Sequence, residues 1–187
     1  MLQQRSEVDM EEEITANPQA RPKSLTPRLL SIAEHIRPCA TVVDVGTDHG
    51  YLPVYLVQQG HRGRIIACDI AEKPLAKARE NLGRRGIDGR VEIILCDGIP
   101  TDCGEIHEQV DIVIAGMGGE TISYILENAN LPNSPSFAKA DVTLLLQPMS
   151  RAEKLENYLT EQGFTWQVYQ VAEGRRNYKY YLAKIKR

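Results

Sequence analysis

The stretch "TVVDVGTDHGYLP", Thr41 to Pro53, decides how the rest of the chain is read. A short apolar run ends at Gly46, and after Gly50 a helical pattern starts with Pro53 in its first turn. A strand that breaks at glycine and passes directly into a helix describes the first strand and first crossover of a parallel sheet. Such a turn usually carries further glycines, and this one carries Asp48 and His49 instead.

The same alternation continues outward. "LTPRLLSIAEHIRP" precedes the stretch as an amphipathic helix opened by Thr26-Pro27 and stopped by Pro38. After it, "GRIIACDI" reads as a strand and "EKPLAKARENLGRRG" as a helix with Pro74 in its first turn and Gly86 as its stop. "RVEIILCDG" and "VDIVIAGMGG" are strands three and four, joined by a short loop, and "GETISYILENAN" is a helix. "DVTLLLQPM" is strand five, and "SRAEKLENYLTEQG" is a helix with a Ser-x-x-Glu capping box at Ser150 and Glu153. "FTWQVYQVAE" and "RNYKYYLAKI" follow with no helix between them. The expected fold is α/β: a Rossmann-like, doubly wound, seven-stranded sheet, mostly parallel, with an antiparallel C-terminal hairpin at one edge.

The 187 residues, 42% hydrophobic and 25% charged, have the composition of one ordinary globular domain. No run approaches the ~18 apolar residues of a membrane span. The opening "MLQQRSEVDMEEEI" is acidic where a signal peptide is basic and then apolar, so a soluble, cytoplasmic protein without a membrane partner is expected. Residues 1–24 lack periodicity and read as a disordered acidic tail, which leaves 25–187 as the folded domain. The four cysteines form no C-x-x-C pair and the four histidines are scattered, so no metal site is expected. A net charge of −3 argues against a dedicated nucleic-acid binder, but much of the acid lies in the tail. "GRRNYKYYLAKIKR", by contrast, holds Arg175, Arg176, Lys179, Lys184, Lys186 and Arg187 with no acid, and reads as a solvated edge strand.

A parallel sheet binds its ligand outside the carboxyl ends of its strands. Asp44, Gly46, Asp48 and Gly50 fall at the first such end, Asp69 with Ile70 at the second, Asp97 with Gly98 at the third, and Gly116 at the fourth. These are the candidate cofactor residues. A pyrophosphate seeks bare backbone N–H groups and is repelled by carboxylates. S-adenosylmethionine carries an ammonium and a sulfonium, and both gain from nearby acids. Asp69 suits ribose hydroxyls, while Asp97 can accept from an adenine amino group with Gly98 letting backbone approach the ring.

From "LTPRLLSIAEHI" through "VVDVGTDHGYLP", "AGMGGETI" and "LLLQPMSRAEKL" to the final hairpin, Leu25 to Arg187, the chain resembles the bacterial tRNA (adenine-N1) methyltransferase family that modifies adenine 22 in the D-arm. Members continue into a C-terminal helical, coiled-coil-like domain that this sequence does not include, and the acidic tail is an addition. The resemblance implies an S-adenosylmethionine-dependent enzyme that methylates N1 of a tRNA adenine. Adenine N1 has an in-ring lone pair, so positioning and a carboxylate near the developing positive charge should suffice. Asp48 is then the leading catalytic candidate, with His49 beside it, although Asp48 could instead bind the methionine ammonium or cap the loop, and His49 could brace it. Tyr51 either stacks on the target base or starts a buried helix face. Gly116, Met117, Gly118 and Gly119 replace the Asn/Asp-Pro-Pro-aromatic motif of exocyclic amino methyltransferases and are expected, as a loop, to form part of the target-base pocket. Arg28 is expected to contact phosphate or close over the substrate, ahead of Arg151, Arg175 and Arg176. Two other readings stay open: an inactive methyltransferase-like module that binds RNA, and a small-molecule methyltransferase.

Overall fold

The computed structural model describes residues 25–106 and 109–185; the acidic tail and the last two basic residues, Lys186 and Arg187, lie outside the described residues. Seven strands, β1 (Thr41–Val45), β2 (Ile65–Asp69), β3 (Glu92–Leu95), β4 (Gln109–Gly118), β5 (Asp141–Ser150), β6 (Thr165–Glu173) and β7 (Arg176–Lys184), form one sheet. Their order is β3-β2-β1-β4-β5-β7-β6. The first five are parallel, and β7 is antiparallel to both β5 and β6. Among the described residues no helix is long and apolar enough to cross a membrane.

Among the described residues the α-helices are α1 (Pro27–Ala33), α2 (Tyr51–Gln58), α3 (Glu72–Gly83), α4 (Gly119–Ala129) and α5 (Ala152–Glu161). Side chains alternate between two cores because strand residues point to opposite faces. Val43, Ile66, Ile112, Ile114, Leu144 and Leu146 pack with α4 and α5, whereas Val42, Ile65, Val113 and Leu145 pack with α1 and α2. Each fully buried Ile or Leu contributes about 1.5–3 kcal/mol of transfer free energy, which explains strands that are apolar on both faces.

Three local expectations need correction. The first helix is shorter than its apolar pattern: past Ala33 the backbone tightens, with His35 N–H donating to Ile32 O and Ile36 N–H to Ala33 O. No capping box forms at α5, because Ser150 is the last residue of β5, paired with Gly118, and Arg151 precedes the helix in a left-handed conformation without a side-chain cap. The basic strand is not an edge. β7 lies between β5 and β6 and buries Tyr180, Tyr181 and Ala183, so β6 is the edge.

Arg37 closes the amino end of the sheet. Its backbone N–H and Nε donate to the two carboxylate oxygens of fully buried Asp111, at 2.7 and 2.9 Å, and its Nη1 donates to Asp141 at 2.6 Å.

Candidate active site

A cavity of about 310 Å³ opens at the carboxyl ends of β1 to β4. Val45 and Gly46, Asp69 and Ile70, and Cys96, Asp97 and Gly98 supply three sides. Met117 with Thr121, Tyr124 and Ile125 of α4 supplies the fourth. Two carboxylates and no lysine, arginine or histidine line it. Ile70, 67% exposed, and Tyr124, 58% exposed, offer flat apolar surface for a ring.

The turn after β1 is bent back onto β2. The N–H groups of Gly46 and Thr47 both donate to Cys68 O, at 2.8 and 3.0 Å. Gly46, Asp48 and Gly50 have φ of 72°, 50° and 68°, left-handed values that glycine tolerates and aspartate adopts more readily than most residues. Asp44 is buried beneath this turn and accepts from Thr47 Oγ1 at 2.6 Å. Burial pushes its carboxyl up to about 6, against the Thr47 hydrogen bond, with Asp69 adding to the rise.

At the second strand end, Asp69 Oδ1 accepts from the N–H of Ala71 at 3.0 Å, bracing the turn into α3, and among the described residues Oδ2 accepts no protein hydrogen bond. Beyond β3, the thiols of Cys68 and Cys96 both donate to Gly98 O, at 3.5 and 3.3 Å, and so fix the turn that carries Asp97. The neighbouring Cys96 sulfur and burial raise the Cys68 thiol, while the Cys68 thiol lowers that of Cys96.

The glycine-rich segment after β4 is not the expected loop. β4 continues through Gly118 with shifts of register around Met117 and stays paired to β5 as far as Ser150. A Cβ on Gly119 would stand 2.1 Å from Arg151 O, so that glycine serves a backbone approach between α4 and the end of β5. Gly116, at φ 83°, has open space beside it. Met117 reaches over the β1 turn, where a Cβ on Gly46 would come within 2.3 Å of its Cε.

The remaining candidates lie apart from this cavity. His49 and Tyr51 stack at 5.3 Å and line a second groove, of about 360 Å³, against α3. Asn81 Nδ2 donates to His49 O at 2.8 Å. Asp48 is 64% exposed, with Oδ2 3.6 Å from His49 Nε2. Gly50 packs on Ala78, where a Cβ would sit at 3.2 Å. Arg28 Nε donates to Glu173 at 2.8 Å and Nη1 to Gln147 Oε1 at 3.0 Å and Met149 Sδ at 2.8 Å; its guanidinium lies over the Tyr178 ring. Arg151 is paired with Glu120, and Arg175 and Arg176 are exposed.

Sequence reasoning missed Cys96 and the α4 wall. Thr121, Tyr124 and Ile125 fall at i, i+3 and i+4, a spacing visible in "GETISYILENAN", which reads simply as a helix. Among the described residues no cluster of three His, Cys, Asp or Glu suits a metal.

Residues 25–181 match the methyltransferase domain family. A Bacillus subtilis protein, tRNA (adenine(22)-N(1))-methyltransferase, is 30% identical over 140 residues, which are 75% of this chain and 56% of that one. The chain thus spans about half the length of this curated relative. The solved structure of the B. subtilis M1A22 tRNA methyltransferase TrmK superposes with a TM-score of 0.71 at 27% identity, covering 87% of this chain and 67% of that one. M. capricolum TrmK, solved in complex with S-adenosyl-homocysteine, gives a TM-score of 0.70 at 27% identity, over 87% and 70% of the two chains.

Proposed function

For a chain that belongs to the methyltransferase domain family, we propose transfer of a methyl group from S-adenosylmethionine to N1 of an adenine in the D-arm of tRNA. One observation carries the reading: the cavity at the strand ends is lined by two carboxylates and no cation. Phosphate is repelled there, and a ligand with cationic centres is attracted. The free oxygen of Asp69 suits ribose hydroxyls, Asp97 and Gly98 suit an adenine edge, and Ile70, Tyr124 and Ile125 suit its faces. Asp44, behind the β1 turn, becomes easier to ionise when a cation binds above it. S-adenosylmethionine, when bound, supplies a sulfonium-activated methyl group that a ring nitrogen can accept without first losing a proton.

The acceptor is argued from the relatives and from proton bookkeeping. The adenine lone pair at N1 is available at neutral pH, so the chain's residues have to position the base and stabilise the charge that grows on it. Asp48, exposed on the cofactor turn with His49 beside it, is the carboxylate offered for that role. The Gly116 to Gly119 segment supplies close backbone approach, and Arg28, braced on Gln147 and Met149, guards the end of β5. An adenine in a folded tRNA must leave its stack to be reached, so a remodelled D-arm is required.

Labelled S-adenosylmethionine incubated with unmodified tRNA tests the proposal: label should enter tRNA and map to N1 of one D-arm adenine. Binding of both ligands without transfer would identify a non-catalytic module, and label only in small molecules would reject tRNA as acceptor. Asp48→Ala should lower transfer by about 100-fold or more while cofactor affinity changes little. Weakened cofactor binding with full turnover at saturation would instead make Asp48 a donor ligand.

A further inference from the structure

We infer that the groove between His49 and α3 carries the RNA backbone next to the target base, an inference that rests on RNA being the acceptor. The groove is lined by Lys77, Arg84 and Arg85, and its one acid, Glu80, is already paired with Arg84 at 3.1 Å. Lys77 is exposed and makes no ion pair among the described residues, where its Nζ meets His49 Nε2 at 3.5 Å. Arg85 donates through Nη1 to the backbone and side-chain oxygens of Asn81, meets no carboxylate, and has a buried Nε without a partner. Among the described residues, two of the three cations therefore lack a counter-charge, in a chain whose net charge is −3.

The opposite wall suits unpaired nucleotides. His49 and Tyr51 stack, 17° between planes, and bring two aromatic rings to the groove that the cations line. Cations for phosphate combined with ring faces for bases are the recognition chemistry of single-stranded RNA. From Lys77 to Gly83 α3 advances roughly 9 Å at helical rise before the turn that carries Arg84 and Arg85, enough to follow a short run of backbone. Gly46 and His49 belong to one turn, yet Gly46 lines the acidic cavity and His49 the basic groove. A polyanion is thus steered to one side of the turn and a cationic cofactor to the other.

The test compares wild type, Lys77→Gln, Lys77→Gln/Arg85→Gln and Arg85→Lys in the full chain. The dissociation constant for unmodified tRNA is measured from 50 to 200 mM salt, S-adenosylmethionine affinity by calorimetry, and the KM for tRNA in methyl transfer. The double variant should bind tRNA at least 10-fold more weakly, with a higher KM and a log–log salt slope shallower by about 1–2. Arg85→Lys should keep most of the affinity, and cofactor affinity should stay within twofold throughout. Unchanged tRNA affinity and slope, in variants that still bind cofactor and beside a wild type that methylates tRNA, would overturn the inference and leave the proposed function standing. A parallel loss of cofactor affinity would also overturn it, by making the groove a support for the cofactor turn. A wild type that neither binds nor methylates tRNA would overturn the functional reading itself. If the double variant fails to fold, exposed Lys77→Gln decides alone, through a slope change of about 1.

Discussion

At the amino end of the parallel sheet Asp111 is fully buried, but Arg37 satisfies both its oxygens and extends to Asp141 and to the carbonyls of Val110 and Asp141. At the carboxyl end, Asp44, Asp69 and Asp97 have no basic partner among the described residues. The acids at both ends are of one residue type, on strands or, for Asp97, in the turn after β3; their company differs. A buried carboxylate that has its cation is part of the scaffold, and one left without it costs stability unless a ligand supplies the charge. Function is therefore read from the uncompensated end.

Replacing Arg37 should break this contrast most severely. Arg37→Ala strands a buried carboxylate and should lower the unfolding free energy by about 3–5 kcal/mol in urea titrations. A loss below about 1 kcal/mol would mean that the amino end is no better compensated than the other. Asp44 gives the next effect, and its sign follows from the raised value. The folded protein holds this proton up to about pH 6, whereas the unfolded chain releases it near the ordinary 3.8. The stabilisation is full below about pH 4 and disappears as pH rises through 6, about 3 kcal/mol in all. Asp44→Asn should remove that slope, so that the variant gains on wild type between pH 4 and pH 7; parallel curves would place Asp44 in a far better solvated site. The smallest effect is expected at Asp69. Asp69→Ala should weaken S-adenosylmethionine binding by about 10–100-fold, about 1.4–2.7 kcal/mol, measured by calorimetry. Stability should change by less than about 0.5 kcal/mol, because only the hydrogen bond from Ala71 is lost. A larger stability loss than binding loss would turn Asp69 into a scaffold acid like Asp111.

The uncompensated acids were legible because each closes an apolar run: "TVVD", "IIACD" and "ILCD" give strand and strand end together. What escaped depends on contacts between distant segments. The Ser150–Glu153 spacing promises a cap, but Ser150 is held by Gly118, 32 positions earlier in the chain. The basic residues of β7 suggest an edge, whereas strand order is set by where Tyr180 and Tyr181 find burial. The groove escaped for the same reason, since Lys77 and Arg85 look like ordinary exposed helix charges until the left-handed Asp48 brings His49 against them.

The place of β7 has a consequence for synthesis of the chain. β6 leaves the ribosome before β7, yet among the described residues its only strand partner is β7. Until residues 176–184 emerge, β5 keeps an open edge, and Glu173 and Tyr178 cannot both engage the Arg28 that they later hold against Gln147. The last strand to be made is therefore not the outermost but the one that joins β6 to the rest of the sheet. A stop codon after Gly174 would remove the strand that links β6 to the sheet rather than trim a margin, and a nascent chain stalled there would present β5 to other chains as a template for aggregation.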